Sequence, residues 1–314
     1  MTKNNGAAKS GAATQISDPA AARLNGKFDG MGVARDDFDL KEDLLSSTCA
    51  IPHGRGKSGK TLVSRLMVEC AMVAGRPLSF SDADRANAGL KDVHKPVDGP
   101  ESASLQDLRT FVQRKLETQL EGNGSSLIDF GAGNPVFEGI LDEVDLSGLM
   151  RDYGKQLLIF SMIGPARGDV SYIEPYLNHP SLASADFVIC CNEGLTDPGR
   201  EISAFDPYLE TQQIRAALER GGRLVRLPRL TSAEQIETLG LTYLDAALGR
   251  PNANGRCLAP FAAAATAKWL RALPKAFAPI ADWMSFAPIG DLVAVLDREL
   301  AAKAAARSHW RVAP

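Results

Sequence analysis

A glycine-rich run between an apolar segment and a helical pattern constrains this chain more than any other feature. The apolar residues 49–51 before the run predict a buried strand, and the apolar spacing over 60–74 predicts an amphipathic helix. A strand, a glycine-rich turn and a helix in this order form a phosphate-binding unit. The run matches the pattern G-x-x-x-x-G-K-[ST] at Gly54, Arg55, Gly56, Lys57, Ser58, Gly59, Lys60 and Thr61.

The residue types in this run suit the capture of a polyphosphate. Glycines let successive backbone N–H groups converge on one anion, and the start of the following helix adds its positive dipole end. The Lys60 ammonium group would neutralise the outer phosphates, and the Thr61 hydroxyl would complete the coordination of Mg²⁺. We therefore expect a purine nucleoside triphosphate with Mg²⁺ at this loop. The alternative is a basic, glycine-rich surface turn, which the flanking strand and helix make less favourable.

Short apolar runs alternate with helical patterns from Ser47 to about residue 230, as in a parallel sheet covered on both faces. The predicted fold class is α/β, a three-layer α/β/α P-loop NTPase fold with a mostly parallel sheet. Strands are predicted at 49–51, 78–81, 126–128, 157–163, 187–191 and 224–228.

Composition divides the chain into three parts. Residues 1–45 have few large apolar side chains, so they bury too little surface to offset their ordering entropy and are predicted to be a disordered tail. Residues 46–250 are predicted to form the nucleotide-binding domain. Residues 251–314 are predicted to be an Ala-rich helical extension that packs on this domain or on a partner.

Charge and hydropathy disfavour two classes of protein. The net charge is −3 and both signs are mixed along the chain, which predicts weak or no binding of nucleic acid. No apolar run approaches the roughly 20 residues that span a bilayer. The first residues lack an apolar signal core, so we expect a cytoplasmic protein. The five cysteines form no C-x-x-C pair, and free buried thiols are expected.

Acidic residues follow two of the predicted strands. Asp82 and Asp84 come after the second strand, and Asp129 comes after the third. Ligands of parallel sheets bind beyond the carboxyl ends of the strands, so we expect these acids near the metal and the attacking water. Asp is also common in turns after strands. Three such acids downstream of a phosphate loop favour the functional interpretation.

The loop from Arg55 to Thr61 resembles the K-G-G-x-G-K-[ST] phosphate loop of the ParA/MinD ATPases. Segment 74–84 resembles that family's strand ending in D-x-D, and 127–129 resembles its Walker B strand. Segments 188–192 and 227–228 resemble its base-contacting segments, so the likeness spans about 47–230. Two further segments, 129–133 and 192–194, look most like the TraL or MobD type of conjugation-associated members.

The resemblance implies a role for each matched residue of the phosphate and metal site. Lys60 would bind the outer phosphates and Thr61 would ligate Mg²⁺. Asp84 would orient the attacking water, while Asp82 and Asp129 would hold the water shell of the metal.

Base recognition and dimer formation are also implied by the resemblance. Asn192 and Pro228 would border the adenine. Two subunits of this family sandwich ATP, and the first Lys of the loop reaches the partner's nucleotide. Arg55 stands at that position here, and it either keeps this catalytic role as a finger or loses it. Lys57 replaces a family Gly and narrows the room for a partner's backbone.

The implied function is a slow, switch-like ATPase with ATP and Mg²⁺ as cofactors. The implied partners are a second copy in a nucleotide-dependent homodimer and a protein of a plasmid or transfer apparatus. Plasmid partition, conjugation or mobilisation, and cargo positioning are the expected processes. A nucleotide-dependent binding module with negligible hydrolysis and a small-molecule kinase or ligase stay open as alternatives. His53 adjoins the loop, either as a turn residue or as a phosphate contact.

Overall fold

Six parallel strands form a single sheet in the order β2-β3-β1-β4-β5-β6 in the computed structural model. The structure describes residues 47–84, 97–102, 104–133 and 135–310; the predicted tail, 1–45, lies outside these ranges. The predicted α/β fold is confirmed, and every described pairing in the sheet is parallel. The strands are β1 (Thr48–Gly54), β2 (Leu78–Ala83), β3 (Ser125–Phe130), β4 (Gln156–Ile163), β5 (Asp186–Asn192) and β6 (Arg223–Leu227).

Helices connect the strands and follow the last one. Two short helices lie between β3 and β4 and one lies between β4 and β5, in stretches where no helical period was identified from the sequence. The helices are α1 (Lys60–Val73), α2 (Leu105–Glu121), α3 (Pro135–Glu143), α4 (Leu146–Asp152), α5 (Arg167–Leu177), α6 (Asp206–Leu209), α7 (Gln212–Glu219), α8 (Ala233–Leu239), α9 (Tyr243–Leu248), α10 (Pro260–Phe277) and α11 (Ile289–Trp310).

The strands bury alternate residues on opposite faces of the sheet. On one face, Ala50 of β1 and Leu158 of β4 belong to a core built with α1, α9, α10 and α11. On the other face, Ile51 and Ile159 belong to a core built with α2 to α5 and α7. Right-handed crossovers explain this division. The chain moves from β1 to β2 in one direction across the sheet, which places α1 on one face. It then moves from β2 to β6 in the opposite direction, which places the connecting helices on the other face.

The C-terminal helices pack on the sheet and on α1 of the same chain. α10 lies against β6, and α11 lies against α1. Polar contacts reinforce this packing: Arg65 donates to the carbonyl of Leu241 at 2.7 Å, and the Trp269 indole donates to the carbonyl of Pro228 at 2.9 Å. Within the described residues, the Ala-rich extension is thus part of the same hydrophobic core as α1.

Two smaller predictions have different outcomes. Cys49, Cys70, Cys190 and Cys191 are free and buried as expected, but Cys257 is free and exposed. No helix in the described part of the chain has the length and apolar content that a membrane crossing requires.

Candidate functional site

The glycine loop lies at the carboxyl end of β1, between β3 and β4 in the sheet. The strands that follow β1 in the chain lie on one side of it up to β3 and on the other side from β4 onwards. The loop therefore lies at a topological switch point of the sheet, where ligands of parallel sheets bind. Two glycines give the loop its shape. Gly54 has φ 151° and a β-carbon there would lie 2.6 Å from the Met162 carbonyl oxygen; Gly59 has φ 103° and its β-carbon would lie 2.4 Å from Asn192 Nδ2. The backbone conformation and the available space therefore both require glycine at these two positions.

Lys60 begins α1 and folds its side chain back over the loop. Its Nζ donates to the carbonyl oxygens of Gly54 at 3.0 Å and Arg55 at 3.1 Å. Burial lowers the pKa of Lys60, whereas the negative charges of Asp129 and Asp84 raise it. The ammonium group is thus held among loop carbonyls within electrostatic reach of two of the predicted site acids.

Asp82 and Asp129 are cross-strand neighbours in the β2–β3 pairing, and both are buried. Burial, and then the charge of Asp82, raise the pKa of Asp129 to about 7, while Lys60 and the hydroxyls of Ser64 and Thr61 lower it. Asp129 Oδ1 has no hydrogen-bond partner within the described ranges. A buried carboxylate oxygen of this kind needs a partner such as a hydrated cation.

Asp84 follows β2 directly and faces the loop after β3. Its N–H donates to Asp82 Oδ1 at 3.0 Å. A β-carbon on Gly131 would lie 2.8 Å from Asp84 Oδ1, and one on Gly56 would lie 3.7 Å from the Ala132 β-carbon. The loop after β3 therefore lies between Asp84 and the glycine loop, and the three predicted acids surround one edge of the same site.

No protein-family model matches this chain, and no curated protein matches it. The resemblance to the ParA/MinD ATPases therefore depends on the sequence segments alone and stays a prediction. Among the described residues, no group of three or more His, Cys, Asp or Glu side chains is arranged to hold a metal ion. That arrangement is not required for Mg²⁺ at a phosphate site, where one or two carboxylates act together with the phosphates of the ligand.

Arg55 is an exposed loop residue that faces a helix of its own chain. Its Nη1 lies 3.8 Å from Asp169 Oδ1, and the Arg55 side chain is 59% exposed. Asp169 is fixed in turn, because its Oδ2 accepts the Gly164 N–H at 3.1 Å. Asp169 was not predicted from the sequence, although its place in the first turn of α5, the helix after β4, puts it at the same edge of the sheet as the other acids.

The two residues expected near the base occupy different surroundings. Asn192 is buried beside the loop; its Nδ2 donates to the Ser58 carbonyl at 2.9 Å and its Oδ1 accepts the Gly194 N–H at 3.0 Å. Pro228 follows β6, the third strand from β1 on that side of the sheet. Asn192 therefore supports the loop directly, and the expectation that the two residues border adenine stays a prediction.

His53 is a buried strand residue, so the expected turn position is wrong. It lies in β1, where its ring is 3.8 Å from the Tyr176 ring and 5.1 Å from the Tyr172 ring, measured between centroids. Burial, and then the charge of Lys60, lower its pKa to about 3, which keeps the imidazole neutral near pH 7. Alternation along β1 contained this signal, since His53 falls on the same face as Cys49 and Ile51.

Tyr172 joins α5 to the loop after β3. Its hydroxyl accepts the Gly133 N–H at 2.8 Å, and its ring packs on His53. α5 thus contacts both sides of the site, through Asp169 at the glycine loop and through Tyr172 at the loop after Asp129.

Proposed function

We propose that this chain binds ATP with Mg²⁺ at residues 54–61 and hydrolyses the nucleotide slowly as a conformational switch. The observation that carries the proposal is the position of the Lys60 ammonium group. It sits across a glycine loop at the sheet's switch point and interacts with Asp84 and Asp129 from the two adjacent strand ends. Phosphoryl transfer requires a cation at the phosphates, a glycine-rich loop that holds them, and acids near the metal and the attacking water.

The residues at the loop support binding of the outer phosphates. Lys60 now donates to carbonyls of Gly54 and Arg55, and the same donor can turn to phosphate oxygens. The first turn of α1 adds backbone N–H groups and the positive end of the helix dipole. Asn192 holds the Ser58 carbonyl and so fixes the loop that presents these groups.

Mg²⁺ fits the donor set on the other side of the loop. The Thr61 hydroxyl and the carboxylates of Asp82 and Asp129 are hard oxygen ligands, and Asp129 Oδ1 is buried without a partner among the residues described. When bound, Mg²⁺ supplies positive charge that offsets the negative charge of the phosphates.

Asp84 is the residue to which we assign orientation of the attacking water. It is less buried than Asp82 and lies beside Gly131, at the opening between the loop after β3 and the phosphate loop. The carboxylate of Asp84 can accept a hydrogen bond from water at this opening. Asp84→Ala should therefore lose hydrolysis while it keeps binding.

The cellular role that we propose follows from the resemblance to the ParA/MinD family. A switch of this kind has different partner affinities in its ATP and ADP states. Plasmid partition, conjugation or mobilisation, and cargo positioning each use such a switch. A nucleotide-dependent homodimer and a protein partner of the transfer apparatus belong to the same proposal.

Calorimetry and a phosphate-release assay test the proposal. Wild type should bind ATP only weakly without Mg²⁺ and more tightly with it, and Lys60→Ala should lose most of this affinity. Lys268→Ala is the matched control, because Lys268 is an exposed lysine on α10 outside the site. Absence of Mg²⁺-dependent uptake of ATP, ADP or GTP by wild type would refute the proposal.

A second candidate is a nucleotide-dependent binding module with negligible turnover. The proximity of Arg55 to Asp169 favours it, because a guanidinium group shared with its own chain is less available to a partner's nucleotide. Phosphate release separates the candidates: the binding module predicts tight ATP uptake with release no faster than that of Lys60→Ala.

A further inference from the structure

Lys57 belongs to the proposed nucleotide-binding loop, but its charged side chain has no role in the function proposed above. Its φ is 65°, and it is the one non-glycine residue with positive φ in the part of the chain that the structure describes. Glycine adopts this conformation freely, whereas a side chain with a β-carbon is disfavoured there. A lysine at this position therefore keeps a backbone strain that glycine would relieve.

Packing does not account for the lysine. Lys57 is exposed, and no hydrogen bond or ion pair joins its side chain to another residue of the described ranges. Strained backbone conformations of this kind concentrate at functional sites, where the side chain has a use that outweighs its conformational disadvantage. We therefore expect the Lys57 side chain to contact a ligand that is not part of the described structure.

The neighbours of Lys57 fix the loop on both sides of it. Gly56 precedes it and lies close to Ala132, since a β-carbon there would be 3.7 Å from that residue's β-carbon. Ser58 follows it, and the Ser58 carbonyl accepts a hydrogen bond from Asn192 at 2.9 Å. Lys57 thus lies at the tip of a turn whose backbone is held on both sides. The position of its Cα at the edge of the site is therefore fixed.

The negative charges around the site are ones that the Lys57 ammonium group can offset. Asp82, Asp84 and Asp129 line one side, and the buried Lys60 interacts with two of them, Asp84 and Asp129. The other loop cation, Arg55, faces Asp169. An anionic ligand would enter a site whose own acids repel it, and an additional positive charge reduces that repulsion.

We propose that Lys57 is a second phosphate-binding ammonium group, which contacts the outer phosphates from the solvent side and favours a triphosphate over a diphosphate. This inference depends on the proposed nucleotide site. Lys60 binds from the buried side of the loop and Lys57 binds from the exposed side. The gain is greater for ATP than for ADP, because the third phosphate adds negative charge where the loop tip can reach it.

Lys57→Gly tests the inference, since it removes the charge and also suits the backbone. The thermal midpoint of Lys57→Gly should equal or exceed that of wild type, so loss of folding would not explain a binding defect. In calorimetry with Mg²⁺, ATP affinity should fall by about 10-fold and ADP affinity by less than about 3-fold. Lys57→Arg, which keeps the charge and the strain, should stay within about 3-fold of wild type for ATP.

The outcomes separate this inference from the nucleotide-binding proposal. If wild type binds neither nucleotide, the proposed function fails and Lys57 loses its role with it. If wild type binds ATP and Lys57→Gly binds it equally tightly, the role of Lys57 is refuted while the site stands. Equal weakening for ATP and ADP would refute the preference for a triphosphate. A smaller dependence of ATP affinity on salt concentration in Lys57→Gly would support direct charge contact.

Discussion

Replacing Glu69 with glutamine should remove a pH-dependent loss of stability from the junction between α1 and the C-terminal helices. The Glu69 carboxylate is buried and accepts the Tyr243 N–H at 2.7 and 2.9 Å and the Leu244 N–H at 3.2 Å. Burial raises its pKa from 4.5 to about 7, although these N–H groups and Arg65 lower it. The carboxylate therefore joins the helix that follows the phosphate loop to the start of α9.

The sign of the effect follows from the direction of the pKa shift. The folded protein holds the Glu69 proton more tightly than the unfolded chain does, so this contribution to stability is complete below pH 4.5. It falls as the pH rises towards 7 and is absent above that value. A rise in pKa from 4.5 to about 7 corresponds to about 3 kcal/mol of unfolding free energy.

Urea denaturation at pH 5 and pH 8 measures this effect. Glutamine is neutral at both values, so the stability of Glu69→Gln relative to wild type should improve by about 2–3 kcal/mol between them. Glu219→Gln serves as the control, because Glu219 is an exposed glutamate on α7. A difference between Glu69→Gln and wild type that is the same at both pH values would refute the reasoning.

Two further predictions concern the supports of the site. Gly59→Ala should destabilise the fold by about 2–3 kcal/mol, because φ 103° is strained for alanine and the new β-carbon would meet Asn192 Nδ2 at 2.4 Å. In an Asn192→Ala background the penalty should shrink by about 1 kcal/mol in thermal or urea denaturation, and full additivity would contradict the contact. Tyr172→Phe should keep the ring packing on His53 but remove the acceptor of the Gly133 N–H, so the Gly133 amide should exchange faster with deuterium. Unchanged exchange there would show that the hydroxyl does not hold the loop.

The six strands could be predicted from the sequence because strands covered on both faces read as continuous apolar runs. The acids Asp82, Asp84 and Asp129 followed from the same pattern, since residues at or just beyond the carboxyl end of a parallel strand lie at the ligand-binding edge. α3 and α4 were missed because each spans only 9 or 7 residues, too few for a clear helical period. Contacts between distant segments, such as Arg55 with Asp169, depend on tertiary packing that local sequence does not encode.

Cysteine and histidine positions illustrate the same limit on a smaller scale. Strand alternation places Cys190 and Cys191 on opposite faces of β5, and both are buried. The same rule applied to β1 would have buried His53, but the strand was predicted to end before that residue. The error therefore came from an element boundary, which local patterns define poorly.

The packing of α11 on α1 has a consequence for the order of folding during synthesis. β1 and α1 are synthesised before the rest of the sheet, but the side chains that cover their face of it, such as Leu292 and Leu296, come from α11, which follows all six strands in the chain. Apolar surface on α1 stays open to water or to chaperones until α11 has been synthesised. A ribosome that stalls before α11 would leave a nascent chain with the loop sequence already present and its supporting helix uncovered.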